Sequence, residues 1–240
     1  MYPGTTEEEL RPVSNTSTAE FVTLLENTDR AVIIALMNEL KPLADRMAID
    51  LYEVVRAAAT KPFGFVPFYP GPGLGGHCVP MDPVYLAWKA REFGVHTRFI
   101  ELADDVDASM PDYVVQKTID ALNGLSEPLK GGGVLVLGVA CKKNADDMRE
   151  SPSVSIMPRL PSRRALVSYS DPFIPVLQAK GEHVLPLSSA PVTQEALTGF
   201  DAVLLGTDHD CFDYELILKL SSLLIDTYGR FSVDRGVVRA

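Results

Sequence analysis

The hydrophobic period changes once along this chain, at Lys130-Gly131-Gly132-Gly133, and the change limits what each side can become. Before it, Phe21, Leu24, Leu25, Thr28, Val32, Ala35, Leu36 and Leu43 return at three- and four-residue steps. That spacing lines one face of a helix. After it, short apolar runs recur at 134–137, 165–169, 183–187, 202–205 and 223–225. Such runs suit parallel strands buried on both faces. Helix-like segments at 153–160, 172–180, 194–200 and 214–220 separate them. The pattern predicts an α/β chain: a helical half over 17–125, then a Rossmann-like parallel sheet over 130–230.

Finer signals divide the helical half. Residues 1–16 are polar and turn-rich. Ser17 and Glu20 have the form of a capping box. Pro42 should kink or end the first helix near 37–41, because proline lacks an N–H. A second helix follows Asp50. Residues 62–80 hold too many glycines and prolines for regular structure. Asp82-Pro83 reads as a helix start, with the aspartate as cap. That helix should stop at Gly94. A long amphipathic stretch over 99–122 closes the half, with Pro111 as a bend.

Composition excludes several classes. The 240 residues are 46% hydrophobic and carry a net charge of −10. Disorder, a polybasic nucleic-acid arm and non-specific phosphate binding are all disfavoured. The three cysteines, Cys78, Cys141 and Cys211, form no CxxC pair. That argues for a reduced cytoplasm and against a disulfide framework or a metal site. The first residues resemble no signal peptide, and no run reaches membrane-span length. No nucleic acid and no membrane is expected as a partner.

The chemistry concentrates in Gly71-Pro72-Gly73-Leu74-Gly75-Gly76-His77-Cys78-Val79-Pro80-Met81-Asp82-Pro83. Glycines let backbone N–H groups approach a ligand. A cysteine beside a helix start is favoured as thiolate, the nucleophilic form. A carboxylate four residues on can orient water or relay a proton. Spacing alone leaves a second reading equally open: a tight loop around a buried, inert cysteine.

This loop, with Ala58-Ala59-Thr60-Lys61-Pro62-Phe63-Gly64-Phe65 before it, resembles the UDP-glucose/GDP-mannose dehydrogenase family. The nearest branch is the UDP-N-acetylglucosamine or -mannosamine 6-dehydrogenases. Leu24–Thr28, Asn38-Glu39-Leu40, Tyr85–Arg91, Val136–Lys143, Asp146–Pro152 and Thr207-Asp208-His209 extend the resemblance over roughly residues 12–230. It implies NAD-dependent oxidation of a UDP-sugar C6 alcohol to the carboxylate, in two hydride transfers. Cys78 matches the nucleophile that forms a thiohemiacetal and then a thioester. Asp82 matches the carboxylate assisting water or proton steps, and Asn27 a residue near the reacting oxygen. Lys142 matches a ligand-contacting lysine, and Gly75 and Gly76 line the substrate. The helical half resembles the dimerisation domain, and 130–230 the UDP-binding domain. A cytoplasmic homodimer serving polysaccharide biosynthesis follows, or a mixed dimer with an intact paralogue.

The departures set further expectations. No GxGxxG follows a first strand, so NAD, the family's cofactor, is not expected to bind this chain. Residues 1–16 read as a remnant of an NAD-binding domain, with an internal deletion at Pro12-Val13. Thr23 stands where the family has its catalytic lysine, Tyr228 where it has an anion-binding arginine, and Asp107 where asparagine is usual. An alternative therefore stands beside the dehydrogenase: a non-catalytic UDP-sugar-binding and dimerisation module. Of the remaining residues, His209 is expected in a surface hydrogen bond, His77 as a shaper of the loop and Trp88 in the core. The paired Arg163-Arg164 and Lys142-Lys143 read as a pyrophosphate site or as solvated surface charge.

Overall fold

The computed structural model describes residues 12–177, 187–232 and 236–240. Residues 1–11 of the expected remnant lie outside them. Four helices come first: α1 (Thr16–Arg46), α2 (Leu51–Ala58), α3 (Cys78–Glu92) and α4 (Arg98–Gly124). α1 packs along both α3 and α4.

Asn15 caps α1, its side-chain oxygen accepting from the Thr18 N–H at 2.8 Å. The Ser17–Glu20 pair is not the cap, because Ser17 already lies inside the helix and a cap must lie outside it. Nor does Pro42 end α1. It forfeits the one backbone bond to Asn38, while the buried flanking residues Lys41 and Ala44 carry the helix to Arg46. α2 begins as expected, with the Asp50 carboxylate accepting from the Tyr52 N–H at 3.0 Å.

α3 departs from expectation. It starts at Cys78 rather than at Asp82-Pro83. Pro80 falls in its first turn, where an N–H has no intrahelical partner, so proline is tolerated there. Asp82 is consequently a helical residue and not a cap. α3 ends at Glu92, with Gly94 at φ +70° beyond it.

The second half comprises β1 (Gly133–Leu137), α5 (Pro152–Ile156), β2 (Leu166–Ser170), β3 (Val176–Leu177), β4 (Leu187–Ser188), α6 (Gln194–Gly199), β5 (Ala202–Leu205), α7 (Tyr214–Leu220), β6 (Leu224–Asp226) and β7 (Val237–Arg239). Five strands form one sheet in the order β2-β1-β5-β6-β7, with every neighbouring pair parallel. β1 and β5 are central, and Val134–Leu137 and Ala202–Leu205 are fully buried, as wholly apolar runs require.

Two expectations fail here. Residues 172–177 of the expected helix are not helical: Pro172 and Pro175 interrupt them, and Val176–Leu177 pairs antiparallel with Leu187–Ser188 in a separate ribbon. The expected strand at 183–187 lies outside the described residues except for Leu187, which belongs to that ribbon. The remaining three residues of the expected helix, 178–180, are also outside them. β7 was not expected from the sequence.

Candidate functional site

The glycine loop lies between the helical layer and the carboxyl ends of the sheet. Asn38, fully buried on α1, accepts from the Gly71 N–H at 2.9 Å. At Gly75 a Cβ would stand 2.7 Å from the Cys141 carbonyl oxygen, so the missing side chain admits the protein's own backbone. Gly76 has φ +96°, donates its N–H to the Arg149 carbonyl at 3.2 Å, and has open space where a Cβ would be. The loop is thereby tied to the segment that follows β1.

It delivers Cys78, exposed, as the first residue of α3. Asp82 follows at the i+4 position of the same helix face. Its Oδ2 accepts from Asn27 Nδ2 at 2.6 Å, and Asn27 Oδ1 accepts from Arg30 Nη2 at 2.6 Å. Asn27 is 5% exposed, so its carboxamide is fixed between guanidinium and carboxylate. The structure thus joins Asn27 and Asp82, which lie 55 residues apart. Thr23, one turn before Asn27 on α1, is exposed. His77 is exposed beside the cysteine. Trp88 is 60% exposed, which corrects its expected place in the core: the stripe it belongs to faces outward.

A second cluster forms at the sheet's carboxyl end, where open α/β sheets place ligands. Thr207 Oγ1 donates to the Ala140 carbonyl at 2.7 Å, joining the turn after β1 to the turn after β5. Asp171, at the end of β2, gathers five donors. Oδ2 accepts from the N–H groups of Val139 and Ala140 and from His209 Nε2, and Oδ1 from the N–H groups of Phe173 and Ile174. Burial alone would raise its carboxyl, but His209 and the backbone amides outweigh this and hold it below the ordinary range.

His209 is completely buried, not on the surface as expected. Its Nδ1 accepts from the Asn144 N–H at 2.9 Å, so Nε2 carries the proton given to Asp171. This dyad fixes the 139–144 turn that presents Lys142 and Lys143, both exposed. Lys143 Nζ bonds Asp210 at 2.5 Å and faces Asp208 at 3.9 Å. Burial raises the Asp208 carboxyl, with Lys143 and Arg230 opposing. Tyr228 lies close to Asp208, Cys141 and Thr207 in the same crevice. Burial, then the nearby Asp208 and Cys141, push its hydroxyl above its ordinary range.

Asp171 escaped the sequence reading. Its signal was an Asp-Pro pair directly after an apolar run. Among the described residues no group of His, Cys, Asp and Glu could hold a metal ion. No described helix is long and apolar enough to cross a membrane.

These two clusters coincide with two family profiles. The central domain of the UDP-glucose/GDP-mannose dehydrogenase family matches residues 17–109, and its UDP binding domain matches residues 135–233. The chain belongs to this family. It is 32% identical over 202 residues to a UDP-N-acetyl-D-mannosamine dehydrogenase of Methanococcus maripaludis, covering 83% of this chain and 43% of that protein. It is 34% identical over 199 residues to a UDP-N-acetyl-D-glucosamine 6-dehydrogenase of Pseudomonas aeruginosa, covering 83% of this chain and 46% of the relative. The solved UDP-D-ManNAc dehydrogenase of Pyrococcus horikoshii superposes with a TM-score of 0.80 at 28% identity, over 94% of this chain and 52% of that one. The chain spans about half the length of the relatives it matches.

Proposed function

We propose that this chain supplies the covalent and UDP-sugar-binding parts of a nucleotide-sugar 6-dehydrogenase. One observation carries the reading: Cys78 is exposed at the first position of α3, one turn from an Asp82 carboxylate held by buried Asn27. In this arrangement Cys78 Sγ adds to a C6 aldehyde, keeping it on the protein. The adduct is a thiohemiacetal. It becomes a thioester only by losing a hydride to an acceptor held outside this chain, after which water would open the thioester and Asp82 would take a proton from that water. Lys142, in the turn fixed by Asp171 and His209, meets the diphosphate, and Gly76 leaves its face open to the sugar.

The oxidation itself calls for NAD, and the residues here do not fit it. The turn after β1 has Gly138 packed against the Thr207 backbone, and the following helix, α5, is only five residues long. No step through NAD is therefore assigned to this chain. The helical half, 17–125, is proposed as the dimerisation domain and 130–230 as the UDP-binding domain. Phe21, Leu25, Trp88 and Phe99, all more than half exposed, support a homodimer or a mixed dimer with an intact paralogue. A cytoplasmic setting in polysaccharide biosynthesis completes the reading.

Exposed Thr23, where the resemblance calls for a lysine, favours a second reading: a non-catalytic binding and dimerisation module. Protection of Cys78 from iodoacetamide by a UDP-sugar 6-aldehyde, expected only if Cys78 Sγ adds to the aldehyde, separates the two readings. The purified chain, given NAD+ and UDP-N-acetylhexosamines, tests what they share. The proposal predicts saturable UDP-sugar binding and no NADH from the chain alone. NADH absorbance rising would overturn the assignment of NAD outside this chain. Silence toward every UDP-sugar would overturn the binding assignment itself.

A further inference from the structure

Behind the cysteine loop, one buried side chain connects it to a carboxylate. Asn38 accepts from the Gly71 N–H and donates through Nδ2 to Asp107 Oδ1 at 2.6 Å. Asp107 sits on α4 and is 5% exposed. Its other oxygen, Oδ2, is buried with no protein hydrogen-bond partner among the described residues. Asp107 also lines a cavity of about 260 Å³ together with Gly73 and Leu74 of the same loop.

The charged groups around it are few. Asp104 stands one turn earlier on α4 and also lines the cavity. Glu150 and Arg159 line its far side, and Arg159 is already bonded to Asp112 at 3.0 Å. α1 contributes the uncharged Asn38, α3 contributes Pro80, and the loop contributes no charge. Burial pushes the Asp107 carboxyl up to about 7; Asp104 adds to this and the Asn38 bond opposes it.

We propose that Asp107 is a proton-controlled anchor of the cysteine loop, seating Asn38 and Gly71 when protonated and releasing them when ionised. A protonated carboxyl has the shape of a carboxamide: one oxygen accepts from Asn38 and the other edge carries a donor. Ionisation leaves a buried charge with one oxygen unsolvated. Opening the loop admits water and relieves that cost. An open, hydrated carboxyl returns toward its ordinary 3.8. The closed loop holds the proton more tightly, so opening releases it. Opening is therefore favoured up to about tenfold per pH unit as pH rises from about 4 to 7, and levels off above that.

The test is amide hydrogen exchange at Gly71 from pH 5 to 8, expressed as protection relative to an unstructured amide at the same pH. In the parent, protection should fall at least about tenfold between pH 5 and 7 and then level. Asp107→Asn, which keeps the acceptor and cannot ionise, should stay protected and flat across the range. Asn38→Ala should be unprotected at every pH. A flat parent profile overturns the proposal, as does an Asp107→Asn profile that tracks the parent. If Asp107→Asn does not fold by circular dichroism, the parent and Asn38→Ala profiles decide on the same terms.

Discussion

The sheet half and the helical half of this chain handle apolar surface in opposite ways. In the sheet half, Leu135, Val136, Leu204, Leu205 and Ile225 are completely buried, with Ile156, Leu160 and Leu197 closing over them. In the helical half, the cluster of α1 and α2 holds only Met37, Ala44, Leu51 and Val55 as buried members. Phe21, Trp88, Phe93 and Phe99 are 53%, 60%, 75% and 81% exposed. The sheet half buries its strands fully, with Val114, Val115 and Leu122 of α4 joining its core; the rest of the helical half carries surface that a second molecule must cover if it is to leave water. The cysteine loop lies where they meet.

The largest effect should come from cutting into the buried core of the sheet half. Leu204→Ala, on the middle strand of the sheet, is expected to cost about 2–5 kcal/mol in urea unfolding. Trp88→Ala should cost less than about 0.5 kcal/mol in the monomer, as a surface change does, yet weaken self-association in sedimentation. Equal losses of stability from the two substitutions would erase the contrast between the halves.

Next in size is the contact between them. Gly75→Ala places a methyl group 2.7 Å from the Cys141 carbonyl, and backbone on both sides must move. A loss of about 1–3 kcal/mol is expected, with faster proteolysis in the glycine loop. An unchanged urea midpoint would show that the halves are not in contact there.

Within the sheet half, Tyr228→Arg should tighten UDP binding on the order of tenfold, since a charged hydrogen bond contributes about 1.5–3 kcal/mol. Titrating both proteins at one salt concentration reads this. Weaker binding by the arginine variant would mean that the Tyr228 side chain shapes the crevice more than charge does.

The smallest effect separates the cysteines. Cys78 and Cys211 are exposed, while Cys141 is half-buried, with its thiol pushed up by burial and then by Asp147. Brief iodoacetamide treatment should label Cys78 first, at its helix start, and Cys141 last. Equal labelling of all three would contradict the proposed role of Cys78.

What was legible in the sequence follows the range of the forces involved. β1 and β5 declare themselves because both faces are buried and every residue is apolar. Asp50 declares α2 because a cap acts over two residues. Asp82 misled, since Asp-Pro has the form of a helix start, whereas the helix begins four residues earlier with Pro80 tolerated in its first turn. Asn27–Asp82, Asn38–Asp107 and Asp171–His209 join residues 55, 69 and 38 positions apart. No local pattern encodes such pairs. Asp82 was marked by its place four residues after Cys78 and Asn27 only through the family resemblance, whereas the partner of His209 went unseen. Trp88 shows a further limit: helical spacing gives a face, not what covers it.

We propose that the sheet half holds the nucleotide site of this chain. Isothermal titration of the purified 240-residue protein with UDP tests it most directly. Saturable one-to-one binding with Kd below about 1 mM is expected, weakened at the same salt by Lys142→Ala. No heat at millimolar UDP, or binding indifferent to Lys142, would contradict it.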